Sequence, residues 1–254
     1  MKGLIYKDFM CLRKNLWTFA LVCFGALIIG IMFLLSCKYG NMAEELALIA
    51  QDAEIDGLVT MKVMENSMWF VVILPIGFIT DVHHCFKEDT RVGFGKVLSG
   101  VALNHGQIVG SRYLTTLIYG GVGMVVALSC AFFIQLVPMD METGNLFVGI
   151  VTIMAIAILY MSFYLFMVYL CGTRRADLIQ VLPIILLFVA EGILVVKFNG
   201  ISDEEMIRLL LDFGYKLMWF LQNGYKALIP ASVAAMLLSY AGSVAAVKRQ
   251  RRVL

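Results

Sequence analysis

A chain of 254 residues that is 61% hydrophobic, only 15% charged and has a mean hydropathy of +0.88 carries too little polar surface for a water-soluble domain. A formal net charge of +2 gives no case for a nucleic-acid partner. The six cysteines (Cys11, Cys23, Cys37, Cys85, Cys130 and Cys171) show no paired spacing, which favours small buried hydrophobes over a disulfide frame or a zinc site.

Taken in order, residues 1–15 set Ile5, Phe9 and Leu12 on one helical face that continues to Leu16, with Lys2, Lys7, Arg13 and Lys14 around it. This predicts an interfacial helix lying on the membrane before the chain turns in; the alternative is the plain beginning of the first span. Residues 16–36 are uncharged and long enough to cross a bilayer. No small-x-small cleavage site closes that run, so it is expected to stay as a span rather than leave as a signal. An acidic stretch over 38–65 follows, with Met42, Leu46, Ile49, Ala50 and Ala53 at the spacing of a short surface helix.

The second span is expected over 67–82, bent by Pro75 and Gly77. A polar insert of about thirty residues, 83–112, separates it from a third span over 113–137, whose Gly120, Gly121 and Gly123 permit close helix contact. A tight acidic turn leads to the fourth span, 146–171, and a turn bearing Arg174 and Arg175 leads to the fifth, 178–196. Residues 197–226 carry Ile207, Leu210, Leu211, Leu217, Met218 and Leu221 at helical spacing with charges on other faces, which predicts amphipathic helices at the interface. The sixth span is 227–247, and a basic stop (Lys248, Arg249, Arg251, Arg252) follows it.

The fold class expected is therefore all-α, a single transmembrane domain of six spans. Charge asymmetry orients it. The side holding both termini, the 83–112 insert and the Arg174–Arg175 turn carries 14 of the 20 Lys and Arg, so both termini are expected in the cytoplasm.

Few motifs suggest chemistry. The nearest approach to a phosphate-binding loop, Gly93-Phe94-Gly95-Lys96-Val97, has the wrong spacer and no hydroxyl after the lysine. No G-x-S-x-G or H-E-x-x-H motif occurs, and His83, His84 and His105 have no partner ligands at metal spacing, so neither an enzyme nor a metal centre is expected. Glu191 is the one acid deep in an apolar run. It is either a site for ion coupling or, about 7 Å from the polar stretch after Val196, a group that snorkels to the surface.

The insert carries the strongest signal. Glu88 and Asp89 follow the second span, and Phe94, Val97, Leu98 and Val101 then fall at i, i+3, i+4 and i+7, a short amphipathic helix. Two antiparallel helices reconnect with far fewer residues, so a cytoplasmic insert of this length predicts a docking element.

The same residues resemble the membrane subunits of type-2 ABC export systems. The resemblance covers nearly the whole chain: the opening Met1 to Asp8, the acidic pair Glu88 and Asp89, an aromatic at Phe94, the helix around Leu98, and Ile108-Val109-Gly110-Ser111-Arg112-Tyr113 leading into the third span. Two departures stand out: Phe94 occupies a position often held by Trp, and the turn before His105 lacks the Pro often found there. Within that class the chain looks closest to the half-size permeases of phenol-soluble-modulin exporters, which move amphipathic toxin peptides, a virulence function, out of Gram-positive bacteria.

The resemblance implies a homodimer in the bacterial cytoplasmic membrane, bound to two copies of a separate ABC ATPase that holds the ATP and Mg. No cofactor is implied on this chain. Glu88, Asp89, Phe94, Val97, Leu98 and Val101 would couple the chain to the ATPase, with the helix from Phe94 to Leu103 seated in it, and the cargo would be a peptide or similar hydrophobic molecule. Two other readings stay open on the residues alone: an ion-gradient carrier using Glu191, and a membrane protein that senses peptides without moving them.

Overall fold

The computed structural model describes residues 2–39, 74–94, 104–136, 146–173, 175–178, 216, 219–221 and 223–251. Its main elements are α1 (Lys2–Tyr39), a 3₁₀ stretch (Leu74–Asp81), α2 (Val82–Arg91), α3 (His105–Leu136), α4 (Leu146–Cys171) and α5 (Tyr225–Arg251). Four of these helices contain stretches long and apolar enough to cross a membrane: Asn15–Phe33, His105–Leu136, Leu146–Cys171 and Tyr225–Arg249. The expected fourth span coincides with α4. The stretch expected as the fifth span, with Glu191, and most of the 197–226 amphipathic region lie outside the described residues.

Three boundaries differ from expectation. The interfacial helix of 1–15 and the first span of 16–36 are one unbroken helix of 38 residues. No Pro or Gly interrupts the backbone ladder between Leu4 and Phe24, so nothing turns the chain at the membrane surface. The apolar face expected to lie on lipid meets protein instead: Leu12 is fully buried, and Phe9 stacks on Tyr119 of α3 with ring centroids 5.2 Å apart.

The second boundary concerns the insert. Its first part is helical through Arg91, because α2 has Val82, Cys85 and Phe86 to bury on one face. The third is the beginning of α3 at His105, eight residues before Tyr113. Asn104 caps that end: its backbone carbonyl accepts from the Gln107 N–H at 2.8 Å, and its side-chain oxygen accepts from the Gly106 N–H at 3.4 Å.

Pro75 and Gly77 shape the approach to α2. Proline removes a backbone donor, and the chain winds as 3₁₀ from Leu74 to Asp81. Gly77 leaves room for the Phe19 ring of α1, which would stand 3.3 Å from an added Cβ. The Phe19 ring also meets Phe78, edge to face, at 4.0 Å.

The middle of α3 supports the packing. Gly123 lets the Pro75 carbonyl approach so closely that an added Cβ would stand 2.5 Å from its oxygen, and Gly120 is covered by Met154 and Ile79. Both glycines therefore serve contacts within one chain, whereas Gly121 faces open space. On α5, Gly242 is covered in the same way by the Phe166 ring of α4.

Hydroxyls add directional ties among these helices. Tyr113 of α3 lies 2.5 Å from Ser239 and 2.9 Å from Ser243 of α5, and Ser239 donates to the Ser162 carbonyl of α4 at 2.5 Å. Tyr240 of α5 donates to the Gly106 carbonyl at the beginning of α3, at 3.2 Å. Thr152 near the start of α4 donates to the Leu221 carbonyl at 2.6 Å, just ahead of α5. Tyr113 and Gly106 thus bring the start of α3 to the later halves of α4 and α5 at one end of the bundle.

Candidate functional site: a buried charge ring at the α2 end

Four charged side chains from three helices meet at that end. Arg112 leads the way, one turn into the apolar part of α3 and almost wholly buried. A lone buried guanidinium is costly, so it needs partners. Its two terminal nitrogens go to different helices: Nη1 lies 2.6 Å from Asp8 Oδ1 of α1, and Nη2 donates to Asp89 Oδ2 of α2. Lys7 of α1 closes the ring, donating to the other Asp89 oxygen and lying 3.7 Å from Asp8. Two cations and two carboxylates balance.

Asp8 is the more deeply held acid of the ring, 1% exposed. Burial pushes its carboxyl pKa up, while Arg112 and then Lys7 pull it back toward the charged form. Thr115 Oγ1 of α3 stands 3.3 Å from its second oxygen, and the Cys85 thiol of α2 reaches its backbone carbonyl at 3.8 Å. Aromatic rings cover the cations. Arg112 sits 4.9 Å from the Phe86 centroid and Lys7 3.7 Å from that of Phe94.

The backbone places Phe94 there. Val92 caps α2, its N–H bonding back to the Glu88 carbonyl, and Gly93 follows with φ +65°. That left-handed conformation suits glycine; it ends the helix and brings the next residue back over Lys7. A cavity of about 430 Å³ opens beside the ring, with Leu4, Phe86, Phe94, Ile108 and Tyr169 among its walls. Lys87 of α2 and the Tyr164 hydroxyl of α4 both approach Asp177, at 3.8 and 3.3 Å, and tie α2 to the end of α4 as well.

Of the residues singled out in the insert, the structure brings Asp89 and Phe94 together. Glu88 stands apart, half-exposed and paired with Arg91 at 2.8 Å. Val97, Leu98, Val101 and Glu191 lie outside the described residues. His83 and His84 stack with centroids 3.9 Å apart, and His83 Nδ1 lies 2.7 Å from the Thr80 carbonyl. Among the described residues, no three His, Cys, Asp or Glu side chains converge as a metal site would require.

Sequence reading alone overlooked Lys7, Asp8 and Arg112 as one unit. Their partners are 82 residues apart for Lys7 and Asp89, and 107 for Asp8 and Thr115. The available signal was Arg112 itself, a charge placed where α3 turns apolar, since such a residue needs an acid from another segment.

A family model described as ABC-2 family transporter protein matches residues 57–248. No match emerges among curated proteins or among solved structures.

Proposed function

The chain belongs to the ABC-2 transporter family, as a multi-pass membrane permease component, and we propose that it is the membrane half of an exporter for amphipathic peptides. Permeases of this family typically lack an ATPase of their own, so a partner ATPase is implied and no cofactor site is expected on this chain. In the reading proposed, two copies of the chain form the pathway and two ATPase subunits sit beneath them. Both termini and the insert face the cytoplasm, as the basic residues favour.

Coupling runs through the insert. ATP draws the ATPase subunits together, they displace the segment containing Glu88, Asp89, Phe94, Val97, Leu98 and Val101, and the attached spans rock to alternate access. A ligand-driven change of this kind needs contacts that differ between the two ATPase states. The observation that carries this reading is the convergence of Asp89 and Phe94, two of the insert's residues, on the Lys7 side chain of α1. A push on the insert therefore has a stiff body to act upon. The peptide cargo rests on the resemblance to toxin-peptide exporters, and the 16 methionines suit a pliable apolar path.

The test is the ATPase rate of the partner subunit with and without this chain in lipid, alongside Phe94→Ala. The expected result is co-purification with stimulation that Phe94→Ala removes while membrane insertion persists. Full stimulation by Phe94→Ala would overturn the insert's role.

A further inference from the structure

We infer that the charge ring makes the first membrane span part of the moving body, with Arg112 as the positioning residue that joins α1 to the insert. This rests on the coupling role proposed for the insert, and extends it to a helix that is remote from the insert in sequence.

The ring joins one residue of α2 to three residues on two other helices. Asp89 is its sole member on α2; Lys7 and Asp8 belong to α1, and Arg112 to α3. If α2 moved alone, Asp89 would leave with it. Lys7 and Arg112 would then share the single carboxylate of Asp8, and a net positive charge would stand in a pocket where Asp8 and Arg112 are almost wholly buried. Buried unpaired charge is strongly disfavoured, so α2, α1 and the start of α3 move together.

The aromatic contacts between α1 and its neighbours lack this property. Phe9 against Tyr119 and Phe19 against Phe78 are apolar stacks, which tolerate sliding. A guanidinium ion-paired with Asp8 on one helix and hydrogen-bonded to Asp89 on another does not. Because α1 is one unbroken helix from Lys2 to Tyr39, a displacement at Asp8 reaches the membrane stretch beginning at Asn15 without a joint. Lysine at position 112 would keep the charge, yet a single ammonium cannot reproduce the fork that meets Asp8 and Asp89 separately.

The experiment is hydrogen–deuterium exchange on the complex with its ATPase in lipid nanodiscs, with and without ATP plus vanadate. In the wild type, peptides covering 4–12 and 84–91 are expected to change exchange together on nucleotide trapping. In Arg112→Lys the response at 84–91 persists and that at 4–12 falls about five-fold or more. Lys7→Gln shifts the balance in the same direction and carries the test if Arg112→Lys does not assemble.

A response at 84–91 without one at 4–12 in the wild type overturns the inference and leaves the insert's role standing. A joint response that survives both substitutions also overturns it, as does faster exchange of both segments regardless of nucleotide, the mark of a merely structural ring. Silence at both segments removes the insert's role and this inference with it.

Discussion

The α2 end and the middle of the bundle solve the same packing problem by different means. At the α2 end, three helices are joined by Lys7, Asp8, Asp89 and Arg112, charges that fix direction as well as distance. In the middle, α3 meets the 3₁₀ stretch and α4 through Gly123 and Gly120. Lipid offers helices no hydrophobic reason to associate, so close backbone approach and dispersion must serve there. Near the helix ends, charges can be recruited, and each one needs its full set of partners. The middle tolerates graded change; the ring does not.

Removing one member of the ring should therefore have the largest effect. Arg112→Met leaves Asp8 buried with Lys7 alone nearby, and is expected to cost about 3 kcal/mol, read as a lowered thermal midpoint of the purified protein. Next comes Gly123→Val. Its first carbon would meet the Pro75 backbone carbonyl, which cannot swing aside, for a loss of about 2 kcal/mol by the same assay. Gly121→Ala, two residues away and facing open space, should be neutral to slightly stabilising, since alanine favours a helix over glycine by up to about 1 kcal/mol; a loss there equal to that of Gly123→Val would show that close approach to Pro75 does not explain the cost. The smallest of the three losses is that of Tyr113→Phe. It removes bonds to Ser239 and Ser243 but keeps the ring against Tyr240, and about 0.6 kcal/mol is expected. A loss matching that of Arg112→Met would erase the distinction between the buried charges and the neutral hydroxyl ties beside them.

The apolar run over 146–171 has the bounds of α4, and of the three glycines legible as contact points, Gly120 and Gly123 are covered by neighbours while Gly121 faces open space. The junction near residue 15 was not legible. An amphipathic stripe with basic flanks looks the same whether it rests on lipid or on protein, and Tyr119, which covers Phe9, is over a hundred residues away. The acid at position 89 was picked out by its place after the second span, while its companion at position 8 carried no local mark. Pairwise ionic contacts across helices depend on which helices become neighbours, and periodicity does not encode that.

The outer surfaces follow the same logic. In the membrane stretches of α1 and α5 only 11% and 17% of positions are buried, against 39% and 44% in α3 and α4. Trp17, Leu21, Phe24 and Ile29 of α1, and Leu237 and Leu238 of α5, point outward. In water such a face would drive aggregation; in a bilayer it is the ordinary surface of a protein.

The 3₁₀ winding from Leu74 to Asp81 has a mechanical corollary. Eight residues in that form rise about 2.0 Å each, against about 1.5 Å in an α-helix, and turn through about 120° rather than 100° apiece. Converting the stretch to α-geometry would shorten it by about 4 Å and unwind it by about 160°. A segment set directly against α2 thus has the dimensions of a screw thread, in which a short axial stroke and a large rotation are the same motion.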